Sequence, residues 1–381
     1  SQPDTEYPYQ SVFGTEQGYF LFDGTRYPTG IVTPSLINPE LTWEKSTTKN
    51  LGFDFTFLQN RLTFCADIFE RKVTDILIPG GKDYPALIGD DNLPFENAGV
   101  LKTTGFELQA KWSDKLSNGF AYSVGVALSD DKAEVLSYPS NPTNKIGDGV
   151  LYKGYTVGDI WGYETGGILQ ESDFDGVGPN GKPLYHGAYF KGGQPYPGYV
   201  WYQDLDHDGV ITSGLSTVDD PGDKKVIGNN APRYRYNITA NFQYKGFDLD
   251  LMFQGVGKRD YWLKDVSSYW GGGAGSWETY NQSWTPERTD AKFPMYGSGI
   301  GSYAQSGYLL DASYIKLKQV ILGYTFPKAL IGKVGLKKLR LNIAAYNLFT
   351  LSDVPKYYDS DYLSDAYPPK RTFSVGIQVG F

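Results

Sequence analysis

The feature that most limits what this chain can become is a period-two alternation of apolar and polar residues, recurring at a strand length of roughly ten residues. In NLGFDFTFL, Leu51, Phe53, Phe55 and Phe57 fall on one face. RLTFCADIF sets Leu62, Phe64, Ala66 and Ile68 against Arg61, Thr63, Cys65 and Asp67. TGFELQAKW opposes Phe106, Leu108, Ala110 and Trp112 to Glu107, Gln109 and Lys111. FAYSVGVAL, YNITANFQY, FDLDLMFQG, the run from Tyr314 to Phe326, LRLNIAAYNLF and RTFSVGIQVGF bring the segments to nine. Side chains alternate across a strand, so each segment predicts one apolar and one polar face.

The gaps between segments alternate as well. Leu58 to Asn60, Ser113 to Gly119, Lys245-Gly246 and Pro327 to Lys338 are short or moderate, whereas 71–103, 129–234, 256–312 and 350–370 are long. Transmembrane β-barrels sort their connections in this way, with short periplasmic turns and long extracellular loops. A soluble sandwich has no reason to do so, and its strands are shorter, about five or six residues. The fold class expected is all-β, an antiparallel transmembrane barrel wall. Its apolar face meets lipid, and a polar face (Asp54, Thr56, Asp67, Glu107, Gln109, Lys111, Asn237, Thr239, Asn241, Asp248, Asp250, Asn342, Ser374, Gln378) meets the lumen. Trp112, Tyr122, Tyr236, Tyr244 and Tyr324 stand near strand ends, where aromatic girdles lie. Phe381 closes the last alternation on an aromatic residue, in the form of a barrel-assembly signal.

Composition removes other classes. No window approaches about eighteen consecutive apolar residues, so a membrane helix is excluded. Net charge is −8 with no basic block, which argues against a nucleic-acid partner. Cys65 is the single cysteine, and the two histidines, His186 and His207, cannot build a histidine metal cage. No nucleophile–His–carboxylate set can be assembled, so an enzyme is not expected. The opening SQPDTEYPYQ has no initiator Met and no leader character, and reads as a mature or truncated start.

Within 129–234, YQDLDHDGVIT carries Asp204, Asp206, Asp208 and Gly209 at calcium-loop spacing. Three hard oxygens at positions 1, 3 and 5, a turn glycine at 6 and the Val210 carbonyl at 7 suit Ca2+. Leu215 replaces the position-12 Glu of an EF-hand, and no flanking helices are present; Asp219, Asp220 or Asp223 are candidates to complete the sphere. A structural ion ordering a loop is expected, not a sensor. Asp173-Phe174-Asp175-Gly176 reads as an ordinary turn. Of the loop aromatics, Trp161, Tyr199, Trp201, Trp270 and Trp277 are candidates to contact ligand, though packing of long loops explains such residues equally.

NPELTWEKSTTKNLGFDFTFLQNRL, ENAGVLKTTGFELQA, GDIWGYETGGILQ, YPGYVWYQDLDHDGVIT, the stretch DKKVIGNNAPRYRYNITANFQYKGFDLDLMFQGVGKRDYW and YIKLKQVILGYTFP together resemble SusC/RagA-type TonB-dependent transporters over essentially the whole chain. The resemblance implies a plugged barrel of roughly 22 strands. Residues 1–381 would be its C-terminal portion, about nine or ten strands, with 129–234 a long extracellular loop and the N-terminal plug absent. It further implies an outer-membrane importer of oligosaccharides or peptides in a Gram-negative bacterium. A SusD-like surface lipoprotein would be its partner. TonB–ExbB–ExbD would supply energy through the plug, in the remaining N-terminal part of the same transporter. The alternative is a passive outer-membrane pore, or a surface nutrient-binding barrel without energy coupling.

Overall fold

All nine alternating segments form strands, and they pair in chain order into one antiparallel sheet. These are β1 (Lys45–Phe57), β2 (Leu62–Pro79), β3 (Phe95–Lys115), β4 (Ala121–Ser137), β5 (Arg233–Tyr244), β6 (Phe247–Lys258), β7 (Tyr314–Thr325), β8 (Lys338–Ser352) and β9 (Thr372–Gly380). The computed structural model describes residues 14–22, 25–32, 37–80, 94–262, 280–298, 303–355, 358–363 and 369–381. A separate hairpin of Gly14–Phe22 and Thr25–Val32, not among the nine segments, pairs only with itself.

Register shows why the alternation matters. Cross-strand partners link Phe57, Leu62, Trp112, Val124, Ala240, Leu251, Val320, Ala345 and Phe373 into one apolar row crossing all nine strands. The adjacent row on the opposite face runs Thr56, Thr63, Lys111, Gly125, Thr239, Met252, Gln319, Tyr346 and Thr372. The apolar face lies open: Phe53, Ile68, Ile343 and Val375 are all at least half exposed. A water-soluble sheet buries this face, and a continuous apolar wall of nine strands is stable when lipid covers it.

The short connections gather at one end. Lys245 and Gly246 form a two-residue turn with φ of 48° and 88°, the left-handed pair that matches strand twist. A Cβ on Gly246 would lie 2.6 Å from the Thr325 carbonyl, so glycine is required there. Aromatic rings cluster above these turns. Phe120 stacks on Tyr122 and Phe242, Phe247 meets Tyr324 at 4.5 Å, and Trp112 donates to the Tyr122 hydroxyl at 3.2 Å. Trp112, Tyr122, Tyr244 and Tyr324 thus sit in the girdle position at the short-turn end. Tyr236 lies at the other end, covering Gly255 and donating to the Tyr314 carbonyl.

Three strands outrun their sequence segments furthest. β2 continues to Pro79, β3 begins at Phe95 and β4 ends at Ser137, because ladder pairing persists after the apolar alternation stops. Arg71–Thr103 and Lys72–Lys102–Glu134 are paired through these extensions. Arg71, Lys72, Lys102 and Glu134 bring charge to these extensions, while Ile78 and Val135 are buried further along, as suits strands that project from an apolar band about 25 Å tall and carry the loops. The stretch after β4 is therefore a loop from 138 to 232, not from 129.

The buried core belongs to the loops. Tyr163, Val200, Tyr202, Ile211, Trp262 and Tyr308 form one cluster, and Val135, Ile146, Tyr152 and Tyr155 a second. Short ladders support them: Asp159–Tyr163 with Lys224–Asn229, Thr165–Ile168 with Val200–Tyr202, and Tyr189–Phe190 parallel to Val210–Ile211. Gln305, fully buried, donates to the Tyr202 hydroxyl and accepts from Thr165, locking the 259–313 connection into the 138–232 loop. Burial pushes the Tyr163 phenol up to about 12 and raises the Tyr202 phenol well above its ordinary value.

Candidate functional site

The acidic loop is organised from below by Asp223, which has no exposed surface. Its two oxygens accept the N–H groups of Leu205 and Thr212, each at 2.7 Å, closing the base of the loop. Inside that base the carboxylates of Asp204, Asp206 and Asp208 offer oxygens within 4.8 Å of one another. Asp204 Oδ2 accepts the Gly209 N–H at 2.9 Å, a contact from position 1 to position 6, and Gly209 has φ of 85°. Asp208 Oδ1 accepts the Val210 N–H at 2.8 Å, and Asp206 Oδ1 the N–H of Asp208 at 3.2 Å.

Charge is unevenly settled in this loop. Asp204 is pushed up by desolvation, but the N–H groups of Gly209, His207 and Asp208 outweigh that and hold it below the usual carboxylate range. For Asp206 the Asp208 N–H favours ionisation, yet desolvation and the charges of Asp208 and Asp223 win, and its pKa is raised. Asp204 Oδ1 is buried without a hydrogen-bond partner. A buried lone-pair oxygen facing two further carboxylates fits a divalent cation, since each charge otherwise repels the next. Leu215, at position 12, is exposed and turned out to solvent. Asp223 is engaged by backbone, and Asp220 accepts from Leu215 N–H. Asp223→Ala should strand two N–H donors, each costing about 1–3 kcal/mol. Faster hydrogen exchange across 203–223, with barrel strands unchanged, is the expected readout.

The aromatic candidates separate. Trp161 packs on Tyr152 and donates to its hydroxyl at 3.0 Å. Trp201 covers Gly166, where a Cβ would meet its ring at 2.3 Å. Tyr199 packs at a tilt against Tyr196, ring centres 5.5 Å apart. These three occupy different packing sites, and Trp270 and Trp277 lie outside the described residues. Asp173 to Gly176 is not an ordinary turn: Asp173 ends the 3-10 helix Glu171–Asp173, and Phe174 to Gly176 lie in the strand Phe174–Val177, which pairs with Pro183–Tyr185 and places His186 3.4 Å from Asp175.

Phe381 follows β9 as a fully outward aromatic residue, 83% exposed. β1 and β9 are the two unpaired edges of the sheet.

Sequence reading did not find the inner-wall ion network. Lys316 on β7, 3% exposed, donates to both oxygens of Asp359 at 2.9 Å and to Asp361 Oδ2 at 2.8 Å. Tyr314 donates to the other oxygen of Asp361, and Lys318 lies 3.5 Å away. Residues 359–361, in the connection after β8, are thereby strapped to the polar face. Only Lys316, an isolated cation on the inward face of a strand, hinted at it.

Comparison with known proteins agrees with this geometry. The family described as TonB dependent receptor-like, beta-barrel matches residues 7–348. TonB-dependent receptor P3 of Formosa agariphila is 27% identical, covering 98% of this chain and 38% of that protein. TonB-dependent receptor SusC of Bacteroides thetaiotaomicron is 26% identical, covering 97% and 35% respectively. Among solved structures, the RagAB peptide transporter superposes with a TM-score of 0.71 at 20% identity, over 98% of this chain and 38% of the other. The RagAB peptide importer in its open-open state gives 0.72 at 21% identity, covering 99% and 38%. The chain thus spans under two fifths of the length of these relatives. On sequence match and fold together, it belongs to the TonB-dependent receptor-like β-barrel family of the outer membrane.

Proposed function

We propose that this chain forms the C-terminal part of the barrel of an energised outer-membrane importer that takes up oligosaccharides or peptides. The observation that carries the reading is the nine-stranded sheet, lipid-ready on one face, polar on the other, and open at both β1 and β9. An open sheet of this kind needs further strands to close, and the relatives have the length to supply them. In this reading the loops 138–232 and 259–313 face outwards, where a SusD-like lipoprotein would cover the mouth. A plug from the rest of the protein would receive force from TonB–ExbB–ExbD. The RagAB peptide importer supports a transport role with a peptide cargo, and SusC supports the same architecture. Trp161, Tyr199 and Trp201 support the outer loops chiefly by packing. Phe381, directly after β9, serves barrel assembly.

The test is uptake by cells carrying the full-length gene, with and without TonB. Accumulation that depends on TonB supports the reading, whereas equal, gradient-limited entry in both strains identifies a passive pore. For the acidic loop the proposal is a structural Ca2+ held by Asp204, Asp206, Asp208 and the Val210 carbonyl. Asp206→Ala combined with Asp208→Ala should abolish calcium retained by the purified full-length protein, measured by elemental analysis. Calcium retained unchanged by that variant contradicts the site.

A further inference from the structure

At the loop end of the wall, the lipid-facing side changes character in one sector. The last apolar row on β1, β2 and β3 is Leu51, Ile68 and Phe106. One step further toward the loops the same face reads Lys49, Glu70, Thr104 and Lys132, and the next row Thr47, Lys72, Lys102 and Glu134. Successive rows on one face lie about 7 Å apart and neighbouring strands about 4.8 Å, so the two rows make a patch of roughly 7 by 14 Å. On β7 and β8 this face stays apolar to its loop end, at Ile315, Phe349 and Leu351, the last 63% exposed.

Four lysines and two glutamates share the patch, and the acids do not balance it. Lys49 is matched by Glu70 at 3.7 Å, and just beyond the patch Lys45 is matched by Asp75 at 2.9 Å. Asp130, in the last row of the band on β4, is held by two N–H groups of Arg233. Glu134 is the carboxylate that remains for three lysines. Among the described residues no ion pair includes Lys72, Lys102 or Lys132, and Lys72 and Lys132 are exposed. Lys72 and Lys102 stand directly opposite each other, a placement in which like charges repel. A chain of net charge −8 thus gathers a local positive surplus where its apolar face ends.

We infer that this patch seats the phosphorylated headgroup of an outer-leaflet lipid, with a phosphate between Lys72 and Lys102 and Lys132 beside them. The acyl chains then lie along Leu51, Ile68 and Phe106. A phosphate shared by Lys72 and Lys102 turns their repulsion into two charge-assisted contacts. Lysine stems can run over the apolar edge while the ammonium reaches headgroup level. A free anion gains nothing from the adjoining apolar face, whereas a lipid uses both surfaces at once. The choice of leaflet rests on the reading that the long loops face outwards.

The probe is diphosphoryl lipid A, titrated against full-length transporter in neutral detergent and counted by native mass spectrometry, alongside its phosphate-free form. Each lysine near an anionic lipid surface is worth about fivefold in affinity. Lys72→Gln combined with Lys102→Gln and Lys132→Gln should therefore weaken lipid A binding on the order of 100-fold. The phosphate-free lipid should bind parent and variant alike, at the weaker level. Removing equal charge at the short-turn end, with Lys328→Gln, Lys333→Gln and Lys337→Gln together, should change nothing. Inorganic phosphate should displace the lipid no better than sodium chloride of the same ionic strength. Equal binding of phosphorylated and phosphate-free lipid overturns the inference, and that comparison needs no mutation, so a misfolded variant does not decide the matter. Parent-like binding by the Lys72, Lys102 and Lys132 variant, or displacement specific to inorganic phosphate, overturns it as well. TonB-independent uptake with lipid binding intact would instead remove the importer reading and leave this site standing.

Discussion

Val126→Arg should destabilise the folded barrel of the full-length protein by about 2–4 kcal/mol, the penalty of a guanidinium near the middle of the apolar band. Val126 stands on the exposed apolar face, paired with Ala110 and Ile238. Ala127→Arg, one residue on, should change stability by less than about 1 kcal/mol. Its side chain enters the polar face beside Gln109 and Asn237, where water solvates it. The contrast follows from the period of the strand: a single step exchanges lipid for lumen. Urea unfolding in lipid vesicles measures both. Equal penalties at the two positions would mean that both faces meet the same medium.

The second large effect concerns the strap on the inner wall. Lys316→Met should release the 353–371 connection and destabilise its docking by about 3–5 kcal/mol, because Asp359 and Asp361 are left as partly buried charges without their cation. Limited proteolysis should cut within 358–363 in the variant and spare that segment in the parent, while the nine-stranded sheet persists. The strap also carries a pH dependence. Desolvation pushes the Asp361 carboxyl up, but Lys316 and Tyr314 outweigh it and hold it below its ordinary value. A depressed folded pKa adds stability that is complete above the unfolded value of about 3.9 and vanishes as pH falls through the folded one. Protease sensitivity of this connection should therefore rise below about pH 4 in the parent and be high at every pH in Lys316→Met. A protected connection at neutral pH in the variant would show that the ion network is not what holds it.

The wall of the barrel was legible because membrane strands obey one rule along their whole apolar length. Leu51 to Phe57, Phe106 to Trp112 and Phe373 to Val379 each announce their face by alternation alone. Legibility ended where the bilayer ends. Beyond Ile68 the residues Glu70, Arg71 and Lys72 have no apolar partner to alternate with, so the extensions of β2, β3 and β4 are set by ladder pairing between segments. The hairpin of Gly14–Phe22 and Thr25–Val32 was missed although Asp23-Gly24 is a strong turn dipeptide.

The geometry of the acidic loop was readable because its carboxylates are local in sequence: Asp204, Asp206, Asp208 and Gly209 stand at fixed offsets. The role of Asp223 as its clasp was not, because a carboxylate accepting two backbone N–H groups looks, in sequence, like a possible fourth ligand. The Lys316 network and the hydrogen bond from Arg259 to the Asp361 carbonyl join residues 43 to 102 positions apart. No local pattern reports such contacts, and tertiary register alone creates them. The loop aromatics show the converse. Trp161 and Trp201 stand out by size, yet the structure gives them neighbours to pack on.

The central claim is that the apolar face of this sheet meets lipid and the opposite face meets the lumen. Spin labels placed singly from Tyr122 to Leu128 along β4, in full-length protein reconstituted into vesicles, test it most directly through their accessibility to oxygen and to a polar nickel chelate. The expected result is an oscillation of period two, with oxygen access peaking at Val124, Val126 and Leu128 and chelate access peaking at Ser123, Gly125 and Ala127. The opposite phase, or uniform access to the chelate along the strand, would contradict the barrel wall described here.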